Sequence, residues 1–154
     1  MIRPMRAEDA DKAAAQHASL MAHSVFAMFG AGFLACFYRR FASAPSGIAF
    51  VYEEGDAPKA FIASTSDRPA FLRGLLLRHG PRLAWHILRA LLRPACRRLV
   101  WQTLRYLRRT GAARTPAEMI FITVAPECRD RGVGRDLIHA TLDVFRRRGI
   151  RLVS

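Results

Sequence analysis

A glycine-bearing loop between an apolar strand and an amphipathic helix constrains this chain more than any other feature. Residues 118–125 are mostly apolar, which is the composition of a buried central strand. The loop that follows carries the pattern Arg129-x-x-Gly132-x-Gly134. Apolar side chains then recur at helical spacing until Gly149 provides a normal stop. A strand that enters a helix through such a loop indicates an α/β fold.

The loop has the chemistry of a phosphate-binding site. Backbone N–H groups at the start of a helix lack helical partners and can donate to phosphate oxygens. Glycines allow the backbone to approach a phosphate closely, and Arg129, Arg131 and Arg135 add positive charge. The loop is not a P-loop, because no Gly-Lys-Ser/Thr follows, and it lacks the GxGxxG dinucleotide fingerprint. The alternative is an ordinary glycine turn with solvated arginines.

Local patterns predict the elements that precede this loop. In chain order they are a strand at 2–6, helices at 7–20 and 32–42, and a β-hairpin of strands 48–53 and 59–65. Residues 67–110 follow a helical pattern that Pro69, Pro81 and Pro94 divide into about three helices, each proline near a helix start. Residues 150–154 begin one more strand.

Residues 118–138 resemble the acetyl-CoA-binding motif of the GNAT N-acetyltransferase superfamily in their strand, Arg-x-x-Gly-x-Gly loop and helix. The order of the preceding elements also fits that family, so the resemblance covers most of the chain. It implies a single α/β (α+β) domain, residues 1–154, with a mixed, mostly antiparallel sheet flanked by helices. Residues 67–114 are then a basic helical insertion between the third and fourth strands, and the C-terminal part of the fold is expected to be missing.

The resemblance also implies a binding site for acetyl-CoA as co-substrate. The pantetheine arm would pair with backbone groups of the fourth strand at Ile122, Thr123 and Val124. The pyrophosphate would bind the loop and helix start, formed by Arg129, Asp130, Arg131, Gly132, Val133, Gly134 and Arg135. The acetyl group would pass directly to an acceptor amine, with no covalent enzyme intermediate.

Direct transfer requires a neutral amine. A lysine-like amine with a pKa of about 10.4 costs roughly 4–5 kcal/mol to deprotonate at pH 7. Glu118, at the start of the fourth strand, resembles the catalytic glutamate of histone-type members and is the candidate general base. The alternative for Glu118 is a strand-edge glutamate paired with a nearby arginine.

Other side chains receive weaker assignments. The family's general acid, often a tyrosine beyond the fifth strand, is expected to fall outside this sequence, and the three tyrosines present are assigned to packing: Tyr38, Tyr52 and Tyr106. His23 and Ser24 are candidates to line the acceptor pocket. Cys128 is assigned as an ordinary small loop residue, the alternative being an oxidisable thiol.

Positive charge concentrates in residues 68–114. This segment holds twelve arginines and no aspartate or glutamate, and it supplies +12 of the net charge of +13. Such asymmetry suggests a local anionic partner. Four residues fall on one helical face: Arg97, Trp101, Arg105 and Arg108. That face is either solvated, or it contacts an anionic membrane surface or an acidic partner. No motif for nucleic-acid binding accompanies the charge, so we expect no nucleic-acid partner.

Composition excludes several classes of protein. No apolar run approaches the roughly 18 residues of a membrane-spanning helix, and the N-terminus is not a signal peptide. Three widely spaced cysteines exclude a disulfide framework and a thiolate zinc site, and the five histidines show no metal spacing. We therefore expect a cytoplasmic protein that holds no metal. An unfinished sheet edge at 150–154 suggests a homodimer as one option.

These patterns predict an N-acetyltransferase that uses acetyl-CoA and a primary amine acceptor, either a small molecule or a peptide. The alternative is a catalytically incomplete binding module that docks an anionic partner or a membrane surface through residues 68–114. The sequence does not distinguish among small amines, aminoglycosides, peptides and protein N-termini as acceptors.

Overall fold

The computed structural model describes residues 1–55, 57–110 and 117–151, without the side chains of 103, 104 and 106–110. Within these ranges, four strands form one antiparallel sheet in the order β1-β2-β3-β4. The strands are β1 (Ile2–Pro4), β2 (Gly47–Glu54), β3 (Ala57–Thr65) and β4 (Glu118–Val124). The helices are α1 (Ala10–Leu20), α2 (Val25–Met28), α3 (Ala31–Ser43), α4 (Arg68–Leu91), α5 (Pro94–Thr110) and α6 (Val133–Arg147). This mixed α/β architecture is consistent with the predicted GNAT-like fold.

The sheet separates two layers of helices because alternate strand residues point to opposite faces. Ala49 and Val51 of β2 belong to the larger core, which also contains buried side chains of α1 and α3. Phe50 and Tyr52 pack on the other face, against a cluster that includes Leu137 of α6. The chain thus has apolar packing on both sides of the sheet.

The predicted β-hairpin and the helices before it are confirmed within a few residues. A short 3-10 turn, Ala7–Asp9, precedes α1, and the Asp67 carboxylate caps α4 by accepting from the Ala70 N–H at 2.9 Å. The short helix α2 was not predicted, since four residues are too few for a recognisable period.

The prediction of about three helices after β3 is wrong, because Pro81 lies inside α4. A proline removes one helical N–H and crowds the preceding turn. The helix continues because Leu75 and Leu83, on either side of Pro81, are both buried in the larger core. Two helices, α4 and α5, therefore form the described part of the connection between β3 and β4.

The strand predicted at 118–125 is confirmed as β4, and its central position stays a prediction that is not tested within the described chain. There β4 stands at an edge of the sheet and pairs with β3 alone. Ala63 pairs with Phe121 while Ser64 pairs with Met119, so Ile120 is an extra residue that forms a β-bulge. The predicted fifth strand falls largely on 152–154, which lie outside the described residues.

Two further properties of the described residues concern membranes and metals. None of the helices in that part of the chain combines the length and apolar character needed to cross a bilayer. Likewise, no three His, Cys, Asp or Glu side chains of the described ranges come together as a metal-binding group.

Candidate functional site

The backbone of the loop between β4 and α6 forms a concave turn. Asp130 has a φ of 58° and Gly132 a φ of 78°, so two left-handed residues flank Arg131. Aspartate tolerates this region better than most residues, and glycine adopts it without a steric cost. Left-handed residues are a feature of turns whose backbone N–H groups bind anions, so this loop is a candidate anion-binding turn.

The first amides of α6 face this turn. The first helical hydrogen bond runs from the Asp136 N–H to the Gly132 carbonyl at 3.0 Å. The N–H groups of Val133, Gly134 and Arg135 precede that bond, and no side chain caps the helix at Gly132. The helix start thus presents several backbone donors and the positive end of its dipole.

Gly134 lies against β4 with room to spare. A Cβ atom built at this position would meet Val124 Cγ2 at 3.5 Å and Ile122 Cδ1 at 3.9 Å, which are ordinary contacts. Its φ also lies outside the positive region. The fold therefore accepts a side chain at Gly134, in contrast to Gly132.

A cleft runs along β4 beside the loop. Its volume is about 220 Å³, and its lining comprises Leu20, Met21, Ile122, Thr123, Val124 and Arg129. Ile122 is 38% exposed, although it lies in the middle of an apolar strand. The Thr123 hydroxyl is buried and has no hydrogen-bond partner among the described residues. A buried polar group of this kind is expected to find a partner.

The three arginines of the motif differ in their environments. Arg129 donates from Nε to the Val124 carbonyl at 3.4 Å and so lies over the end of β4. Arg131 forms a two-fold ion pair with Glu54, at 2.7 and 3.0 Å. Arg135 is three-quarters exposed. The positive charge at the loop is therefore lower than the three arginines alone would give, because the Glu54 carboxylate partly neutralises Arg131.

Glu54, at the end of β2, is a site residue that sequence reasoning missed. Besides Arg131, it accepts a hydrogen bond from the Cys128 thiol at 3.3 Å. The hydrogen bonds from Arg131 and Cys128 hold the pKa of the Glu54 carboxyl below its ordinary value. Burial raises the pKa of the Cys128 thiol, and the bond to Glu54 adds to the effect. The β2–β3 hairpin therefore fixes the loop in place.

A second ion pair joins the same two segments. Lys59 of β3 binds Glu127, at the start of the loop, at 2.7 Å. Through this hydrogen-bonded pair, Glu127 raises the pKa of Lys59, and Lys59 lowers the pKa of Glu127. The loop is thus held at both ends by β-strand side chains.

Glu118 lies at the opposite end of β4 from the loop. Its carboxylate is 26% exposed and forms an ion pair with Arg68 at the start of α4, at 3.3 Å. This contact matches the alternative considered for Glu118, a strand-edge glutamate with an arginine partner. The Glu118 carboxylate nevertheless remains partly accessible from outside.

The two candidates for the acceptor pocket separate in the structure. His23 is exposed, whereas Ser24 caps α2 and bonds to the buried His17 ring at 2.9 Å. The other ring nitrogen of His17 contacts the Tyr38 hydroxyl at 2.7 Å. Tyr38 is fully buried, in keeping with a packing role, and the side chain of Tyr106 lies outside the described residues.

Two comparisons with known proteins bear on the family of this chain. No curated protein matches the chain. Residues 18–154 match the acetyltransferase (GNAT) family, a range that includes β4, the loop and α6. Because this match spans most of the sequence, the chain belongs to the GNAT family of acetyltransferases.

Proposed function

We propose that this protein is an N-acetyltransferase that uses acetyl-CoA and transfers the acetyl group directly to a primary amine. Membership of the family supports acetyl transfer in general. The observation that carries the specific proposal is the candidate anion-binding turn at Gly132, beside the edge of β4 that no described strand covers. CoA contains a diphosphate and a pantetheine arm with amide groups. The turn would bind the diphosphate, and the edge of β4 would bind the arm.

The residues present fit such a co-substrate. Backbone amides from Asp130 to Arg135 would donate to the pyrophosphate, whereas the Arg129 N–H already donates to the Pro126 carbonyl at 3.2 Å. The Arg129 and Arg135 side chains would add positive charge. At Ile122, Thr123 and Val124, the edge of β4 that faces away from β3 has no described strand beside it and offers backbone groups to the pantetheine arm. The buried Thr123 hydroxyl lacks a partner in the described chain. When bound, acetyl-CoA supplies an activated thioester acyl group.

Glu118 is the proposed general base. It is the carboxylate on β4, and it would accept a proton from the acceptor ammonium, directly or through water. Arg68 competes for that carboxylate in the present geometry. We therefore propose that proton acceptance requires Arg68 to yield part of its contact with Glu118.

The acceptor is proposed to be a primary amine of a small molecule or peptide. A panel of amines incubated with acetyl-CoA, with free thiol release as the readout, identifies its class. The three cysteines of the chain are unpaired and buried, which is compatible with a reducing, cytoplasmic location.

Calorimetric titration with CoA tests the binding site directly. We expect Gly134→Asp to weaken CoA binding by about 100-fold, because it places a carboxylate where the diphosphate would lie. Gln102→Glu, which adds the same charge on the exposed surface of α5, is the matched control and should bind normally. Absence of binding by the unaltered protein at millimolar CoA favours the non-enzymatic binding module, and normal binding by Gly134→Asp contradicts the placement of the diphosphate.

The assignment of Glu118 is tested by the pH dependence of turnover. Glu118→Gln keeps the size of the side chain and removes its basicity. We expect turnover to fall about 10²-fold below the pKa of the acceptor amine and to recover at higher pH, where the amine is already neutral. CoA affinity should stay unchanged. An equal loss at every pH would remove Glu118 from the role of base.

A further inference from the structure

Helix α4 carries a second apolar face that points away from the core. Its buried side chains are Phe71, Leu75, Leu83 and Ala90. On the outer side, exposed apolar residues recur at spacings of three and four, which places them in one continuous row. We name this row the outer stripe: Leu77, Pro81, Ala84, Trp85, Leu88 and Leu92.

The outer stripe is unusually exposed for its composition. Leu77 is 81% exposed, Leu92 74% and Trp85 63%. Scattered exposed apolar side chains are common on soluble proteins, but a contiguous row marks a surface that contacts something else. The stripe extends over four turns of α4, so the contact would lie along the helix rather than at its end.

Arginines border the outer stripe on one side. Four exposed residues follow the same helical repeat: Arg78, Arg82, Arg89 and Arg93. None of them forms an ion pair with an acidic side chain of the described chain. The surrounding segment 68–114 holds no aspartate or glutamate. The cationic border is thus free to bind external anions.

We propose that the outer stripe and its arginine border dock this protein on an anionic membrane surface. Leucine and tryptophan side chains would enter the headgroup region while the arginines bind lipid phosphates, as in interfacial amphipathic helices. Long arginine stems can lie along the apolar surface and keep their charge in water. On the next helix, Arg97, Trp101 and Arg105 are also exposed, whereas the side chain of Arg108 lies outside the described residues.

A second copy of the chain is a poorer occupant of this face. In a two-fold symmetric dimer each surface meets its own equivalent. If two copies of α4 pack antiparallel, their arginine borders lie side by side with no acidic residue of 68–114 between them. If they pack parallel, both borders still lack an acidic partner in the segment 68–114. A bilayer with acidic lipids matches both features of this face. Its lipid phosphates are negatively charged and would bind the arginine border, and its apolar layer would contact the outer stripe.

Co-sedimentation with vesicles tests the proposal. We expect binding to phosphatidylcholine vesicles that contain about 30 mol% phosphatidylglycerol, and little binding to phosphatidylcholine alone. Arg82→Gln with Arg89→Gln should weaken binding about 25-fold, or about fivefold for each charge. Lys12→Gln with Arg147→Gln removes two exposed charges from α1 and α6 and should change binding by less than about twofold.

The apolar contribution is tested by tryptophan fluorescence. The chain has two tryptophans, so Trp101→Phe leaves Trp85 as the reporter. Its emission should shift to the blue on addition of anionic vesicles, and Leu77→Ser with Leu88→Ser should abolish the shift. All of these positions are exposed, and thermal unfolding together with CoA binding checks that each variant remains folded.

Four results would overturn the proposal. They are no binding to anionic vesicles, equal binding to neutral ones, unchanged binding by the arginine double variant, and an unshifted Trp85 emission in bound protein. A dimer that the Leu77 and Leu88 substitutions dissociate, without vesicle binding, would assign the face to a second copy. Binding to polyglutamate without binding to vesicles would assign it to an acidic protein.

Discussion

The two glycines of the loop serve different purposes. Gly132 has a φ of 78° and immediately precedes α6, so the backbone itself favours a residue without a Cβ atom. Gly134 has no such constraint, and a Cβ there would make only ordinary contacts with β4. Under the proposed function, glycine at 134 leaves room for the co-substrate at the helix start.

This difference predicts opposite effects of two alanine substitutions. Gly132→Ala should lower the free energy of unfolding by about 1–2 kcal/mol, because alanine is strained in the left-handed region. Gly134→Ala should raise it by up to about 1 kcal/mol, since alanine favours the helix, and should still weaken CoA binding. Urea unfolding and calorimetry on the same samples measure both quantities. A destabilised Gly134→Ala would show that the fold, and not a ligand, requires glycine there.

Site residues that contact the loop from distant parts of the sequence could not be predicted. The Arg-x-x-Gly-x-Gly spacing identified the loop because all its members lie within six residues. Glu54 precedes Arg131 by 77 residues, and only the pairing of β2 with β3 and of β3 with β4 brings them together. A contact between residues so far apart in sequence leaves no local sequence pattern. Glu54, which positions the loop, was therefore not predicted.

At the scale of elements, α4 shows how packing can override a local signal. Proline inside a helix normally ends or kinks it. Here the neighbouring turns are held by buried Leu75 and Leu83, and Pro81 itself is exposed on the outer stripe. The sequence predicted the helical character of this region correctly and misplaced its boundary, because the depth of burial on either side of Pro81 depends on the rest of the fold.

Replacement of Pro81 should stabilise the protein. Alanine restores a helical N–H and relieves crowding with the preceding turn, while the unfolded chain gains some freedom. We expect Pro81→Ala to raise the free energy of unfolding by about 1–2 kcal/mol in urea. Gly80→Ala, at a neighbouring site where a Cβ would meet nothing within 4 Å, should add only about 0.5–1 kcal/mol. A loss of stability in Pro81→Ala would show that the proline sets a bend that the packing of α4 needs.

The side chain of His17 connects helices α1, α2 and α3 with strand β4. This fully buried ring of α1 bonds to Ser24 at the start of α2 and to Tyr38 of α3, and it packs edge-on against Phe121 of β4 at 4.6 Å. Burial lowers the pKa of His17. The neutral ring therefore belongs to the native state, and its protonation opposes the packing of three helices on the sheet.

The ion pairs of Arg3, in the first strand of the sheet, change their contribution to the free energy of unfolding at a lower pH. Arg3 binds both Asp9 and Glu53, and hydrogen bonds from Arg3 lower the pKa of each carboxyl. Their contribution to stability is complete above their unfolded pKa values and is lost as the pH falls through the folded ones. With 25 basic residues in the chain, loss of these carboxylates also increases charge repulsion in the compact state.

Between pH 7.5 and 5.5 these carboxylates remain ionised. The change in the free energy of unfolding over this interval therefore comes from the protonation of histidine. The unfolded chain takes up a proton near pH 6.5, whereas native His17 resists it, so the free energy of unfolding falls as the pH drops. One such group contributes up to about 1.4 kcal/mol over this interval. His79, whose pKa is lowered by burial and nearby arginines, adds to the fall in the same direction.

His17→Gln isolates the share that belongs to His17. This variant should be less stable at pH 7.5, because it disturbs a buried pair of hydrogen bonds, yet it should lose less stability on acidification. His139→Gln, on the exposed side of α6, is the matched control and should retain the full dependence on pH. Urea unfolding at the two pH values gives the difference for each protein. If His17→Gln loses as much stability between pH 7.5 and 5.5 as the unaltered chain, the buried ring does not control the acid response, which then rests on His79 and the surface charges.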